Sequence, residues 1–223
     1  MTLVSVKTGT ENNTNLFKIE LSDGSKFKIK EFYLNYFLGT PLSTAKTPSS
    51  SKTDDFFKEG RDISPNEEKA FRFSSACCKA EKAGSRLIAR AEQNQNGLTK
   101  KLIYRGHDKE CISAVLAWFV ETEMVNDRRY AERWLRSRLS RKSGKISGPR
   151  RLSAALGNKG IGREALWNAF DTILDEETEF SLLERFLSKK RMASLSGNTL
   201  KSRLRYEGFT SSVINRYFNE AIE

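Results

Sequence analysis

The chain has 223 residues, enough for one or two domains, with 38% hydrophobic and 30% charged residues and a formal net charge of +11. No apolar run reaches membrane-spanning length, and the N-terminal MTLVSVKTGT lacks the basic-then-apolar layout of a signal peptide, so a soluble, cytoplasmic protein is expected. The positive excess calls for an acidic partner: nucleic acid first, then an acidic protein surface or an anionic membrane.

Residues 3–38 read as β-rich. Leu3-Val4-Ser5-Val6 is a short strand, and Leu16-Phe17-Lys18-Ile19-Glu20-Leu21 continues the alternation. Ser22-Asp23-Gly24-Ser25 is a turn signal, and Lys26-Phe27-Lys28-Ile29-Lys30 alternates again. Glu31 to Leu38 fits a short helix. A hairpin is marginal alone in water, so this element has to lean on another. Thr40 to Asp54 is rich in Ser, Thr and Pro and reads as a flexible linker. Ser64 then caps a helix, with Pro65 at its first position and Glu67-Glu68 in its first turn. That helix runs past Ala70, Phe73, Cys77 and Ala80 toward Ile88, with Gly84 as a weak point.

Leu102–Leu116 (LIYRGHDKECISAVL), Leu156–Phe170 (LGNKGIGREALWNAF) and Leu204–Phe218 (LRYEGFTSSVINRYF) form an internal repeat. Each begins with Leu and places Gly four residues later, at Gly106, Gly160 and Gly208. Asp108, Gly162 and Thr210 follow as cap positions. Ile112, Leu166 and Ile214 match, as do Leu116, Phe170 and Phe218. Cys111 takes the place of Ala165 and Val213, which favours packing for it. A helix precedes each echo, at roughly 65–94, 126–143 and 175–193, and no β-alternating stretch appears in 65–223. The fold expected is mainly α: three tandem three-helix repeats stacked into an elongated, curved solenoid-like body, with a small N-terminal β-hairpin or three-stranded element. The expected organisation is a β-rich element over 1–39, a flexible linker over 40–62, and repeats over 63–122, 123–172 and 173–223.

The central repeat carries the densest charge, with ten Lys or Arg and one acid, Glu132, between Arg128 and Arg151. Its first helix turns Tyr130, Trp134, Leu135 and Leu139 inward and Arg129, Arg133 and Arg136 outward. Pro149 opens its second helix, whose free N–H groups favour an anion. The candidate binding residues are Arg129, Arg133, Arg136, Lys142, Lys145, Arg150, Arg151 and Lys159, against the plainer reading of a solvated face. Lys189, Lys190, Arg191, Lys201, Arg203 and Arg205 form a second basic patch. Arg138 lies within the apolar arc and reads as a packing residue. Trp134 reads as core, and Trp167 falls beside the stripe of its helix. Cys77, Cys78 and Cys111, odd in number and without framework spacing, read as buried, inert thiols. The single His107 leaves too few ligands for zinc and makes Ser-His-Asp or Cys-His chemistry unlikely. No catalytic residue, metal or cofactor is expected.

Asn126-Asp127-Arg128-Arg129-Tyr130-Ala131 is similar to a family segment of an acidic pair, x-Arg-aromatic-Ala. Gly148-Pro149-Arg150-Arg151-Leu152, with Leu156 and Lys159-Gly160-Ile161, is similar to that family's Gly-Pro-x-Arg-Ile…Leu-x-x-Lys-Gly-Ile. On these segments 65–223 resembles RecX, the bacterial regulator of the RecA recombinase, and the N-terminal strands resemble the extension of some members. Trp118 falls where members often carry an aromatic. Glu123-Met124 stands where a Gly-Tyr pair is usual, Ala155 replaces a frequent acid, and Gly144–Ser147 is a slightly longer loop. The resemblance implies a non-enzymatic protein that binds the groove of the RecA–DNA filament and limits its growth, ATP hydrolysis and strand exchange in DNA repair and the SOS response. Its implied partners are RecA and single- and double-stranded DNA, with no membrane, and the protein is expected to be a monomer. The alternative is a helix-turn-helix-like DNA-binding transcriptional regulator.

Overall fold

The computed structural model describes residues 1–11, 14–39, 56–140, 146–188 and 197–220, and the chain divides into two compact units. Unit 1 is Met1–Glu92 with Leu98–Val125, and unit 2 is Gln93–Gly97 with Asn126–Glu223. The described residues are mostly helical, with ten helices and one three-stranded antiparallel sheet.

The sheet runs β1 (Leu3–Glu11), β2 (Thr14–Leu21) and β3 (Lys26–Lys30), in that order. Alternation puts Phe17, Ile19 and Leu21 on the face shared with Phe27 and Ile29, where they meet Phe57, Ile63 and Phe71. The turn between β2 and β3 closes as Asp23 Oδ1 accepts from Ser25 N at 2.9 Å. α1 (Glu31–Leu38) follows directly. Of the expected linker, 40–55 lies outside the described residues. Phe57 beyond it stacks on Phe17 at 4.0 Å, and Thr2 bridges to Asp62.

α2 (Pro65–Arg90) is the element the sheet leans on. Its start is a capping box, with Ser64 Oγ accepting from Glu67 N and Glu67 Oε2 accepting from Ser64 N. Burial raises the Glu67 carboxyl, but bonds from Arg61 and Ser64 outweigh it and hold it below its ordinary value. Ser74 Oγ accepts from Lys30 N at 3.1 Å, which satisfies a donor of edge strand β3. Lys30 Nζ and Tyr33 Oη both donate to buried Glu81, at 2.6 and 2.9 Å. α2 passes Gly84 without a break. A Cβ there would lie 2.6 Å from Phe119 Cε2, so the missing side chain is room for a ring. α3 (Gln95–Tyr104) and α4 (Lys109–Glu121) complete the first helical group, and Leu102, Ile112, Val115 and Phe119 are buried there with Cys77 and Cys111. Burial pushes the Cys78 thiol up to about 11.

Unit 2 holds α5 (Asp127–Leu139), α6 (Pro149–Gly157), α7 (Arg163–Ile173), α8 (Glu176–Leu187), α9 (Gly197–Glu207) and α10 (Ser211–Glu220). Ala131, Leu135, Leu152 and Leu156 are buried in one cluster, and Leu183, Leu204, Phe209 and Ile214 in another. The repeated glycines adopt one turn. Gly106, Gly160 and Gly208 have φ of +80, +83 and +93°, the left-handed region that favours a residue without Cβ. In each, the N–H after glycine returns to the leading leucine carbonyl: His107 to Leu102, Ile161 to Leu156 and Phe209 to Leu204, at 3.2, 3.3 and 3.2 Å. This is a Schellman closure made three times.

Candidate functional site

α5 sets the main row of arginines. Asn126 caps it, its side chain accepting from Arg129 N at 3.0 Å. With Ala131 and Leu135 buried, Arg133 and Arg136 are exposed and Arg129 is half-buried. Glu132 sits between two arginines, 2.9 Å from Arg128 and 3.5 Å from Arg136, and so cancels part of the charge. These are exposed i,i+4 pairs that a stronger anion can displace. Arg138 lies over the Trp134 ring, 5.0 Å from its centroid, a packing role. Arg185 Nη1 donates to Leu139 O at 2.7 Å and holds the end of α5, a contact sequence reasoning missed because it joins residues 46 apart.

The start of α6 is where the structure departs from expectation. Its N–H groups were expected to favour an anion, but the Gly208 turn occupies them. Gly148 N donates to Glu207 O at 2.9 Å, and Arg150 N donates to Gly208 O at 3.0 Å. Gly148 packs so closely that a Cβ would strike the Gly208 carbonyl carbon and Phe209 N. The neighbouring arginines therefore have different surroundings. Arg150 is exposed. Arg151 Nη1 donates to Glu207 Oε2 at 2.8 Å, and Arg203 takes the other oxygen at 2.8 Å. The Glu207 side chain is only 3% exposed, so it needs both cations.

The same two guanidiniums lie over Tyr206, 4.4 and 5.4 Å from its ring centroid, and that ring is 65% exposed. Tyr206 and Trp167, 60% exposed on α7, are aromatic surfaces available for stacking. The signal for Tyr206 was its place two residues before the repeat glycine, next to Glu207. Lys159 is exposed, and its carbonyl accepts from Asn94 and Asn96 at 2.8 and 2.9 Å. Lys201 lies over Phe218 at 4.7 Å, and Arg205 is exposed. Lys142, Lys145, Lys189, Lys190 and Arg191 lie outside the described residues. Within unit 2, Glu207 thus brings one residue of the main set, Arg151, together with one of the second patch, Arg203.

No family model matches the chain. A protein of Treponema pallidum (strain Nichols) named regulatory protein RecX is 29% identical over 144 residues, 65% of this chain and 86% of that protein. One of the same name from Mycobacterium sp. (strain JLS) is 32% identical over 127 residues, 55% of this chain and 67% of that protein. A crystal structure of regulatory protein RecX superposes with a TM-score of 0.65 at 17% identity, over 96% of this chain and 97% of that one. RecX from Lactobacillus salivarius gives a TM-score of 0.56 at 20% identity, over 65% of this chain and 96% of that one. At these identities the two solved structures speak for the fold.

Proposed function

The chain belongs to the RecX family of regulatory proteins, and on that premise we propose that it regulates the RecA recombinase without catalysis of its own. It binds the RecA–DNA filament, lodges in its groove, and limits filament growth, ATP hydrolysis and strand exchange in DNA repair and the SOS response. Single- and double-stranded DNA are its second partner. It acts in the cytoplasm as a monomer, through three tandem helical modules over 63–122, 123–172 and 173–223.

One observation carries the reading. The two segments that bear the resemblance form α5 and the start of α6, and they leave Arg133, Arg136 and Arg150 exposed. A filament repeats the same protomer surface and the same phosphates along its length. Several modest contacts on linked modules then add through effective concentration. Lys159, Lys201 and Arg205 are further members of the proposed binding set, and Lys142, Lys145, Lys189, Lys190 and Arg191 belong to it by sequence. Arg151 and Arg203 support it by holding Glu207 beside the α6 start, and Arg129, whose backbone N–H meets the Asn126 cap, is a further member of the proposed set.

The test is ATP hydrolysis by the cognate RecA on single-stranded DNA, with this protein added well below one molecule per protomer. The Arg133/Arg136/Arg150→Ala variant runs beside it. Three exposed charged contacts of about 0.5–1 kcal/mol each predict an inhibitory concentration raised by about ten- to a hundredfold. Unchanged hydrolysis with DNA binding intact would overturn the reading and leave the helix-turn-helix-like regulator.

A further inference from the structure

The N-terminal sheet has two faces, and the core explains only one. On the other face the register aligns three lysines, with Lys7 paired to Lys18 and Lys18 paired to Lys28 across β1, β2 and β3. Directly opposed residues have Cβ atoms about 5 Å apart, and like charges at that spacing destabilise a sheet. α2 adds to the same side. Lys79 lines a groove of about 470 Å³ with the three lysines of the row, and Lys82 and Arg86 line an adjoining groove of about 340 Å³ that shares Lys28.

The carboxylates lining these grooves have cationic partners. Glu20 lies 3.4 Å from Lys26, and Glu81 receives Lys30 at 2.6 Å. The face therefore presents a net positive field. We propose that it is a binding surface for the phosphate backbone of duplex DNA. Three features select that ligand. The row is made of ammonium groups, compact point charges of the kind that bind phosphate. The charges are spaced along a line, as a polyanion requires. Phe27, the aromatic lining the groove, is 9% exposed and leaves no stacking platform for unpaired bases. Contact is to the backbone and independent of sequence. The surface belongs to unit 1 and does not rest on the recombinase reading.

The experiment is binding of the full chain to a mixed-sequence duplex across a salt series, for the wild type and for Lys7/Lys18/Lys28→Gln. A control, Lys58/Lys69/Lys109→Gln, removes the same net charge from exposed positions elsewhere. Loss of three phosphate contacts predicts a log–log salt slope shallower by about 2.7 in the first variant, and little change in the control. The first variant should melt no lower than wild type, because it relieves a repulsive row. An unchanged slope, or an equal loss in the control, would overturn the proposal. RecA inhibition by each variant is scored separately, so failure of either function is seen by itself.

Discussion

Glu123 is the one described non-glycine residue with positive φ, at +54°. It follows α4, at a position where the family resemblance leads one to expect glycine. A left-handed conformation costs a residue with Cβ about 1–2 kcal/mol, and a flexible glycine gives back part of that by loosening the unfolded chain. Glu123→Gly is therefore expected to stabilise the protein by about 0.5–1 kcal/mol, read as a shift in the urea midpoint at constant m. A loss of stability would mean that the Glu123 side chain contributes more than its backbone costs. Residue-scale detail of this sort was legible only in part. The departure at Glu123 is visible in the sequence, but its φ is not. Arg150 and Arg151 look equivalent in a string of letters. Only the arrival of Glu207, 56 positions downstream, binds one and leaves the other exposed.

At the scale of elements, the Gly106, Gly160 and Gly208 turns share one hydrogen-bond pattern in three surroundings. A Cβ on Gly106 would meet nothing within 4 Å; on Gly160 it would meet the Asn96 side chain; on Gly208 it would lie 2.8 Å from Arg151 N. Alanine at Gly106 should cost only the left-handed penalty, about 1 kcal/mol. Alanine at Gly160 can be met by movement of Asn96, with loss of its bond to Lys159 O, at about 1 kcal/mol more. Alanine at Gly208 strikes backbone and should cost most, about 3 kcal/mol, since overpacking adds 1–3 kcal/mol. Denaturant unfolding of the three variants reads that order, and equal losses would refute the role given to the Gly148–Gly208 contact. The turns were legible because glycine recurs in register with leucine four residues before it. The strands were legible from alternation, and Ser64 from cap chemistry. What faces the start of α6 was not, because a helix terminus in sequence looks the same whether an anion or a peptide carbonyl meets it.

On the scale of the whole molecule, charge sets two opposed dependences on salt. The chain carries +11, and much of it is concentrated where like charges are neighbours: the Lys7–Lys18–Lys28 row and the arginines of α5. Against this stand exposed pairs such as Arg72–Glu68 and Arg128–Glu132, each worth about 0.2–1 kcal/mol and screened by salt. The buried pair Lys30–Glu81 responds far less, and the partly buried Arg151–Glu207 responds less than the exposed pairs, because both are shielded from ions. Raising ionic strength from about 0.01 to 0.15 M shortens the screening length from about 30 to about 8 Å. That relaxes repulsion within each cluster while weakening the exposed pairs. With 39 basic against 28 acidic residues, repulsion outweighs attraction. The melting temperature should therefore rise with salt, by about 2–4 °C for each kcal/mol relieved, while affinity for DNA falls. Thermal melts in sodium chloride, run beside duplex binding in the same buffers, check both signs at once. If the melting temperature fell together with affinity, attractive pairs would outweigh the repulsive rows. The lysine and arginine clusters would then be part of what holds the fold, not surfaces kept charged for a polyanion.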